Sequence, residues 1–200
     1  MGDHVAGVGD NRGGWLRSAA FLCALIFAYW ALVSAAPLFP KGRLALHLRE
    51  ACRLFTKEGQ YWRPFGQMPL ANNFTDSIAL NITGSLDPDD PLRSAMRMDV
   101  SFASGDRTGG SPLHDFENFT AGRADAKSPY SRYWHGYVVL LRPLLSFMSY
   151  ADVRKLMFFA STLIFIGALL LLHRRTDGVT AFAFAAGYAA TRGSFGSSCS

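Results

Sequence analysis

The apolar positions of this chain fall into blocks, separated by a long stretch of ordinary polar sequence. Ser18 to Ala36, SAAFLCALIFAYWALVSAA, runs nineteen residues without a charge. As a helix rising about 1.5 Å per residue it covers about 28 Å, enough to cross the hydrocarbon core of a bilayer. A second block, Leu156 to Leu172, LMFFASTLIFIGALLLL, is seventeen residues long and is closed by His173, Arg174 and Arg175. A third, Val179 to Ala190, has twelve residues, about 18 Å as a helix, and is too short to span alone. It runs into the Gly/Ser-rich TRGSFGSSCS. Two readings stay open for that end: an interfacial helix with a flexible tail, or a third span cut short.

The polar middle has its own periodicity. In KGRLALHLREACRLFTKEG, Leu44, Leu48, Cys52 and Phe55 recur at helical spacing, with Arg43, Arg49, Glu50, Arg53 and Lys57 around them. This predicts an amphipathic helix over 41–58, capped by Gly59, whose apolar stripe faces either a protein core or the membrane surface. After GQYWRPFGQMPL, irregular by its prolines and glycines, NNFTDSIALNI predicts a short helix from about Thr75 to Ile82. Thr75 or Asn73 is its expected N-cap, and Asp76 falls in its first turn, where the helix dipole favours a carboxylate. From Asp87 to Asp125 the Gly, Asp, Ser and Pro content predicts a loop-heavy insert. DPDDP there is a solvated turn more readily than a cation loop, since it lacks the glycine and distal glutamate of one. SRYWHGYVVLLRPLLSFM, broken by Arg142-Pro143, predicts a bent juxtamembrane helix over 134–150. Ser149 to Asp152 then reads as the capped start of the second span.

Composition adjusts this picture little. Half the residues are hydrophobic, 18% are charged, and the formal charge is +5. Acids and bases alternate through the middle without a basic stripe, so nucleic acid is not an expected partner. The surplus cations sit at span edges: Arg12, Arg17, Arg154, Lys155, Arg174 and Arg175. Cys23, Cys52 and Cys199 show neither disulfide nor metal spacing. Asn73, Asn81 and Asn118 each begin an Asn-x-Ser/Thr sequon.

Basic residues before the first span and after the second place both ends in the cytoplasm, with Arg154 and Lys155 opposing the rule at the outer mouth. A cleaved signal peptide is the rival for the first block, and Pro37 disfavours the cut. The expected layout is a mainly α integral membrane protein with two to three transmembrane helices and a loop-rich extracytoplasmic insert. It comprises a cytoplasmic N-terminus (1–17), helix 1 (18–36), an extracytoplasmic segment (37–153), helix 2 (154–173), a partial third segment (179–190) and a disordered tail (191–200). The expected location is the bacterial cytoplasmic membrane, multi-pass, with membrane lipids as partners.

The order of these parts carries a resemblance. A basic N-terminus and one span lead to an acid within NNFTDSIALNI, then to RYWHGY, a surface helix and the next span. This resembles the N-terminal part of a GT-C-type membrane glycosyltransferase, the polyprenyl-phosphate-sugar-dependent class. The resemblance implies a truncated GT-C-like architecture and a polyprenyl-phosphate sugar donor. It implies Asp76 as the catalytic carboxylate, acting as base or as ligand of a divalent cation, and a site shared by Asp76 and His135. Arg132, His135 and Arg142 would supply phosphate donors at membrane level. On this reading the 200-residue chain is inactive alone. The competing readings are a non-enzymatic membrane-anchored module whose insert binds a partner, and a nonfunctional gene fragment.

Overall fold

The computed structural model describes residues 11–62, 71–106, 110–130, 132, 135–176 and 178–194. The fold is mainly helical, and among the described residues two helices are long and apolar enough to cross a membrane. The first, α1 (Asn11–Ala35), ends in a 3-10 turn at Ala36–Leu38, and the second is α7 (Tyr150–Arg175). Their apolar windows are almost unburied within the protein, 11% for the first and none of the second. The polar chain between them folds into a helical body. It joins α1 through the C-terminal end of that helix and α7 through its N-terminal end.

The body is built on α2 (Lys41–Glu58). It buries Leu44, Leu48, Ala51 and Phe55, while Arg43, Arg49, Glu50, Arg53 and Lys57 stay exposed. The apolar stripe therefore faces a protein core and not a membrane surface, with Ala51 in the buried row where Cys52 was expected. Gly59 ends the helix at φ 74°, its N–H returning to the carbonyl of Phe55 at 2.8 Å. After β1 (Tyr61–Trp62), β2 (Ala71–Asn72) pairs with it antiparallel.

Next comes α3 (Asn73–Ser85), longer than its sequence pattern suggested. Its N-cap is Asn72, in place of the expected Thr75 or Asn73: the Asn72 side chain accepts from the N–H of Thr75 at 3.1 Å. This helix lies between two apolar clusters. Leu80 enters the first, with the α2 residues, Phe116, Leu145, Tyr150 and Val153. Ile82 and Leu86 enter the second, with Val33 and Ala36 from the end of α1, Ala95, Met98 and Val138. A helix buried on two faces must satisfy its polar side chains internally. Ser77 donates to the carbonyl of Phe74, Thr83 to that of Ala79, and Ser85 to the Oδ1 of Asn81.

Among the described residues, the stretch expected to be loop-heavy, taken on to residue 129, contains two short α-helices and two paired strands. They are α4 (Pro91–Arg97), β3 (Asp99–Phe102), α5 (Pro112–Thr120) and β4 (Ala126–Pro129), with β3 antiparallel to β4. Each helix starts from a capping side chain followed by proline, Asp90-Pro91 and Ser111-Pro112. Proline there loses no helical hydrogen bond. Asn81 closes the free edge of β3: its amide donates to the carbonyl of Ser101 at 2.8 Å and accepts from the N–H of Ser101 at 2.9 Å.

The helix expected over 134–150 is shorter, α6 (Val138–Phe147), with Pro143 inside it. Ser149 caps α7, accepting from the N–H of Asp152 at 3.3 Å. Beyond α7, α8 (Gly178–Ser194) extends the twelve-residue third block to seventeen. It folds back so that Phe184 stacks on Phe165, ring centres 6.3 Å apart. Residues 191–194, assigned from sequence to a disordered tail, belong to this helix, and 195–200 lie outside the described residues.

Candidate functional site

Asp76 stands in the first turn of α3 and is partly exposed, its side chain 31% accessible. Its Oδ2 accepts from the Nη2 of Arg154 at 3.1 Å. Arg154 projects from near the start of α7 and also reaches Glu58, Nη1 to Oε2 at 2.9 Å, and the Oδ1 of Asn73. The Asn73 amide closes the ring by donating to Glu58 Oε2 at 3.0 Å and to the carbonyl of Gly59 at 2.6 Å. The guanidinium lies between two aromatic faces, 5.1 Å from the Phe55 ring centre and 4.9 Å from that of Tyr150. Those rings meet edge to face at 5.4 Å. Two carboxylates, one amide and two rings thus hold one cation where α7 leaves the body.

His135 belongs to a different corner. Its Nε2 lies 2.5 Å from the carbonyl of Tyr130, and its Nδ1 lies 3.3 Å from the hydroxyl of Tyr137. A carbonyl only accepts, so Nε2 carries a proton, and in the neutral ring Nδ1 accepts from the phenol. The Tyr130 and Tyr137 rings stand edge-on to the imidazole at 6.1 and 5.9 Å. Burial pushes the Tyr137 phenol well above its usual range, with the nearby Tyr130 adding to the shift, so it stays a neutral donor. Arg132 is exposed on the bend just before; Tyr133 and Trp134 lie outside the described residues.

Arg142 does not stand at a ligand-accessible surface. It is fully buried and its guanidinium is engaged by main-chain carbonyls. Nη1 donates to Thr83 at 2.8 Å and Leu86 at 3.2 Å; Nη2 donates to Pro37 at 2.9 Å and Phe39 at 3.4 Å. These carbonyls lie at the C-terminal ends of α3 and of the 3-10 turn after α1. Helix C-termini present unpaired carbonyls and a partial negative charge, so a buried cation is well placed there. Burial lowers the Arg142 pKa to about 10, with Asp87 opposing the shift, and the group keeps its charge at neutral pH. Arg142, expected to hold a phosphate, here gives its Nη donors to main-chain carbonyls and pins two helix ends together.

The three carried-over groups thus have separate surroundings. Among the described residues, no hydrogen bond or ion pair joins Asp76 to His135 or to Arg142. Nor does any group of three or more His, Cys, Asp or Glu side chains stand together as metal ligands there. The partners of Asp76 were missed from sequence, although Arg154 carried a signal, a cation on the wrong side of the charge rule. Its carboxylate and ring partners supply the reason for its position.

The sequons are also settled by geometry. Asn73, Asn81 and Asn118 are 0%, 1% and 5% exposed. The amides of Asn73 and Asn81 donate in the interior, and the Oδ1 of Asn118 accepts from Arg123 at 3.0 Å. In the folded chain these asparagines are structural.

A groove of about 340 Å³ opens between α4, the end of α3 and the start of β4, lined by Asp87, Asp90, Arg93, Arg97, Asp99 and Lys127 together with Ser85, Leu86 and Ser94. The chain matches no family model, no curated protein and no solved structure.

Proposed function

We propose that this chain is the N-terminal portion of a membrane glycosyltransferase that takes its sugar from a polyprenyl phosphate. Residues 37–153 would lie on the outer face of a bacterial cytoplasmic membrane and the N-terminus in the cytoplasm, as the flanking cations favour. One observation carries the catalytic part of the reading: a partly exposed carboxylate, Asp76, is held 3.1 Å from a guanidinium at the start of the long apolar helix α7. In this role Asp76 accepts the proton of the acceptor hydroxyl as the hydroxyl attacks the anomeric carbon. Arg154 orients the carboxylate through its contact with Oδ2.

A second reading is a non-enzymatic membrane-anchored module, favoured by the fact that the Asp76 carboxylate already has a structural partner in Arg154. The substitution Asp76→Asn separates the two in the complete membrane protein. An amide keeps the first turn of α3 but is no base. Transfer from a polyprenyl-phosphate sugar to acceptor is expected to fall by about 10²–10⁴-fold, the typical range of general-base catalysis. Helix content and unfolding temperature should hold nearly constant, because an exposed ion pair contributes about 1 kcal/mol or less. Undiminished transfer by the variant sinks the catalytic assignment and leaves the module.

A further inference from the structure

The groove beside α4 has features that the ion-pair network at Asp76 does not use. Its cations are Arg93, Arg97 and Lys127; its carboxylates are Asp87, Asp90 and Asp99. The protein engages them only in part. Arg97 meets Asp99 through Nε alone, 3.2 Å from Oδ1, which leaves its two Nη groups. Lys127 gives one hydrogen bond, to the carbonyl of Ser85 at 3.3 Å. Asp90 accepts from the N–H of Arg93 through Oδ1. Asp87 accepts from the N–H of Asp89 through Oδ1, which is also 4.0 Å from the Nζ of Lys41. Among the described residues, the Oδ2 oxygens of all three carboxylates carry no hydrogen bond.

The composition of the groove selects a ligand class. A bare anion would use the cations and be repelled by three nearby carboxylates. A neutral sugar would use the carboxylates and leave the guanidinium donors idle. An anion that also carries hydroxyls uses both, its phosphate on the cations and its hydroxyls on the free Oδ2 oxygens. A groove of about 340 Å³ is at the small end of ligand sites and suits one sugar and one phosphate.

Position supplies the rest. α4 packs against the last turn of the membrane-length helix α1, with Ala95 and Met98 buried against Val33 and Ala36. On its next face Leu92 and Met96 are 59% and 67% exposed, and Leu38 at the end of α1 is 63% exposed. Arg93 and Arg97 follow Leu92 and Met96 by one residue each, so an apolar strip runs beside the charged one. That is the layout of a surface meeting acyl chains on one side and headgroups on the other.

We propose that this groove binds the phosphosugar headgroup of a membrane lipid, with Leu92 and Met96 against the chain that carries it. The proposal rests on the lipid-linked reading above for the setting of the site in a bilayer. Its test measures binding, so loss of transfer chemistry at Asp76 does not decide it.

The chain is reconstituted in phosphatidylcholine nanodiscs and titrated with three probes: a polyprenyl-phosphate hexose, soluble hexose 1-phosphate, and inorganic phosphate. Arg93→Gln with Arg97→Gln should weaken both sugar-bearing probes by about tenfold or more, the loss of at least one charged hydrogen bond. Circular dichroism checks the fold, and Arg93→Gln alone, at an exposed position, repeats the test without touching the Arg97–Asp99 pair. Asp87→Asn should weaken the sugar-bearing probes and tighten inorganic phosphate, because it removes repulsion along with an acceptor. Leu92→Ser with Met96→Ser should weaken the lipid probe and leave hexose 1-phosphate unchanged. Wild-type affinity in the arginine variants overturns the site. Inorganic phosphate bound as tightly as hexose 1-phosphate overturns the sugar. Hexose 1-phosphate bound as tightly as the lipid probe, with no effect of Leu92 and Met96, overturns the lipid.

Discussion

Two arginines twelve residues apart hold this protein together in opposite ways. Arg142, in α6, is fully buried and faces four carbonyl oxygens with no carboxylate among its hydrogen-bond partners. Arg154, in α7, is 22% exposed at its side chain and faces Glu58 and Asp76 across two aromatic rings. A guanidinium taken out of water needs compensation for lost hydration. In the interior the compensation comes from helix C-termini, whose carbonyls would otherwise be unpaired. At the rim it comes from formal charges that solvent partly screens. The first arrangement ties α6 to the ends of α1 and α3 and is wholly structural. The second ties α7 to α2 and α3 and leaves the Asp76 carboxylate partly open to solvent. A cation can serve as a pin or as part of a site, and what surrounds it decides which.

The contrast predicts unequal costs of removal. Arg142→Met leaves four carbonyls without their donor, and unfolding in detergent should show a loss of about 3–5 kcal/mol, the range for a broken buried charge site. Arg142→Lys should recover only part of it, because one ammonium cannot bridge carbonyls on two helix ends as a planar fork does. A lysine variant as stable as the wild type would break the comparison.

Arg154→Met should cost less, about 2–3 kcal/mol, since water reaches the site. Double-mutant cycles sharpen the point. The coupling of Arg154 to Glu58, 11% exposed, should exceed its coupling to Asp76, 31% exposed. Values of about 1–2 kcal/mol and below about 1 kcal/mol are expected. Equal couplings would mean that the exposed carboxylate is as structural as the buried one.

Gly84 asks whether packing or Arg142 sets the end of α3. A Cβ there would stand 2.6 Å from Phe119 Cε1 and 2.7 Å from Leu48 Cδ1. Gly84→Ala should destabilise by about 1–2 kcal/mol, overpacking outweighing the roughly 1 kcal/mol that alanine gains in a helix. A stabilised variant in the same unfolding assay would show that the Phe119 ring and the Leu48 side chain move easily.

The smallest effect concerns a carboxylate bonded to neither arginine. Asp125 accepts from the N–H and the hydroxyl of Ser104, each at 2.6 Å, and these bonds hold its pKa below the usual carboxylate value. A depressed folded pKa means the contribution is present above the unfolded value of about 3.9 and lost as pH falls through the folded one. Hydrogen exchange should therefore show Ser104 amide protection that is flat from neutral pH down to about pH 4 and declines only below it. Protection lost at pH 5–6 would contradict the assignment.

What the sequence determined by itself is local. Charge-free length marked α1 and α7, the i, i+4 stripe and Gly59 marked α2, and Ser149 marked the start of α7. Asp90-Pro91 and Ser111-Pro112, which start helices in the structure, read as loop because glycines and aspartates surround them. Each of these signals lies within one contiguous stretch of chain, the longest being the nineteen residues of the first apolar block. The tertiary structure alone decided what the charged residues do. Arg142 meets carbonyls 56 to 105 positions away, and Arg154 reaches partners 78 to 96 positions away. Periodicity carries no information across such separations. A lone arginine in an apolar segment reads the same whether a ligand, a carboxylate or two helix ends will face it, and folding brings one of these to it.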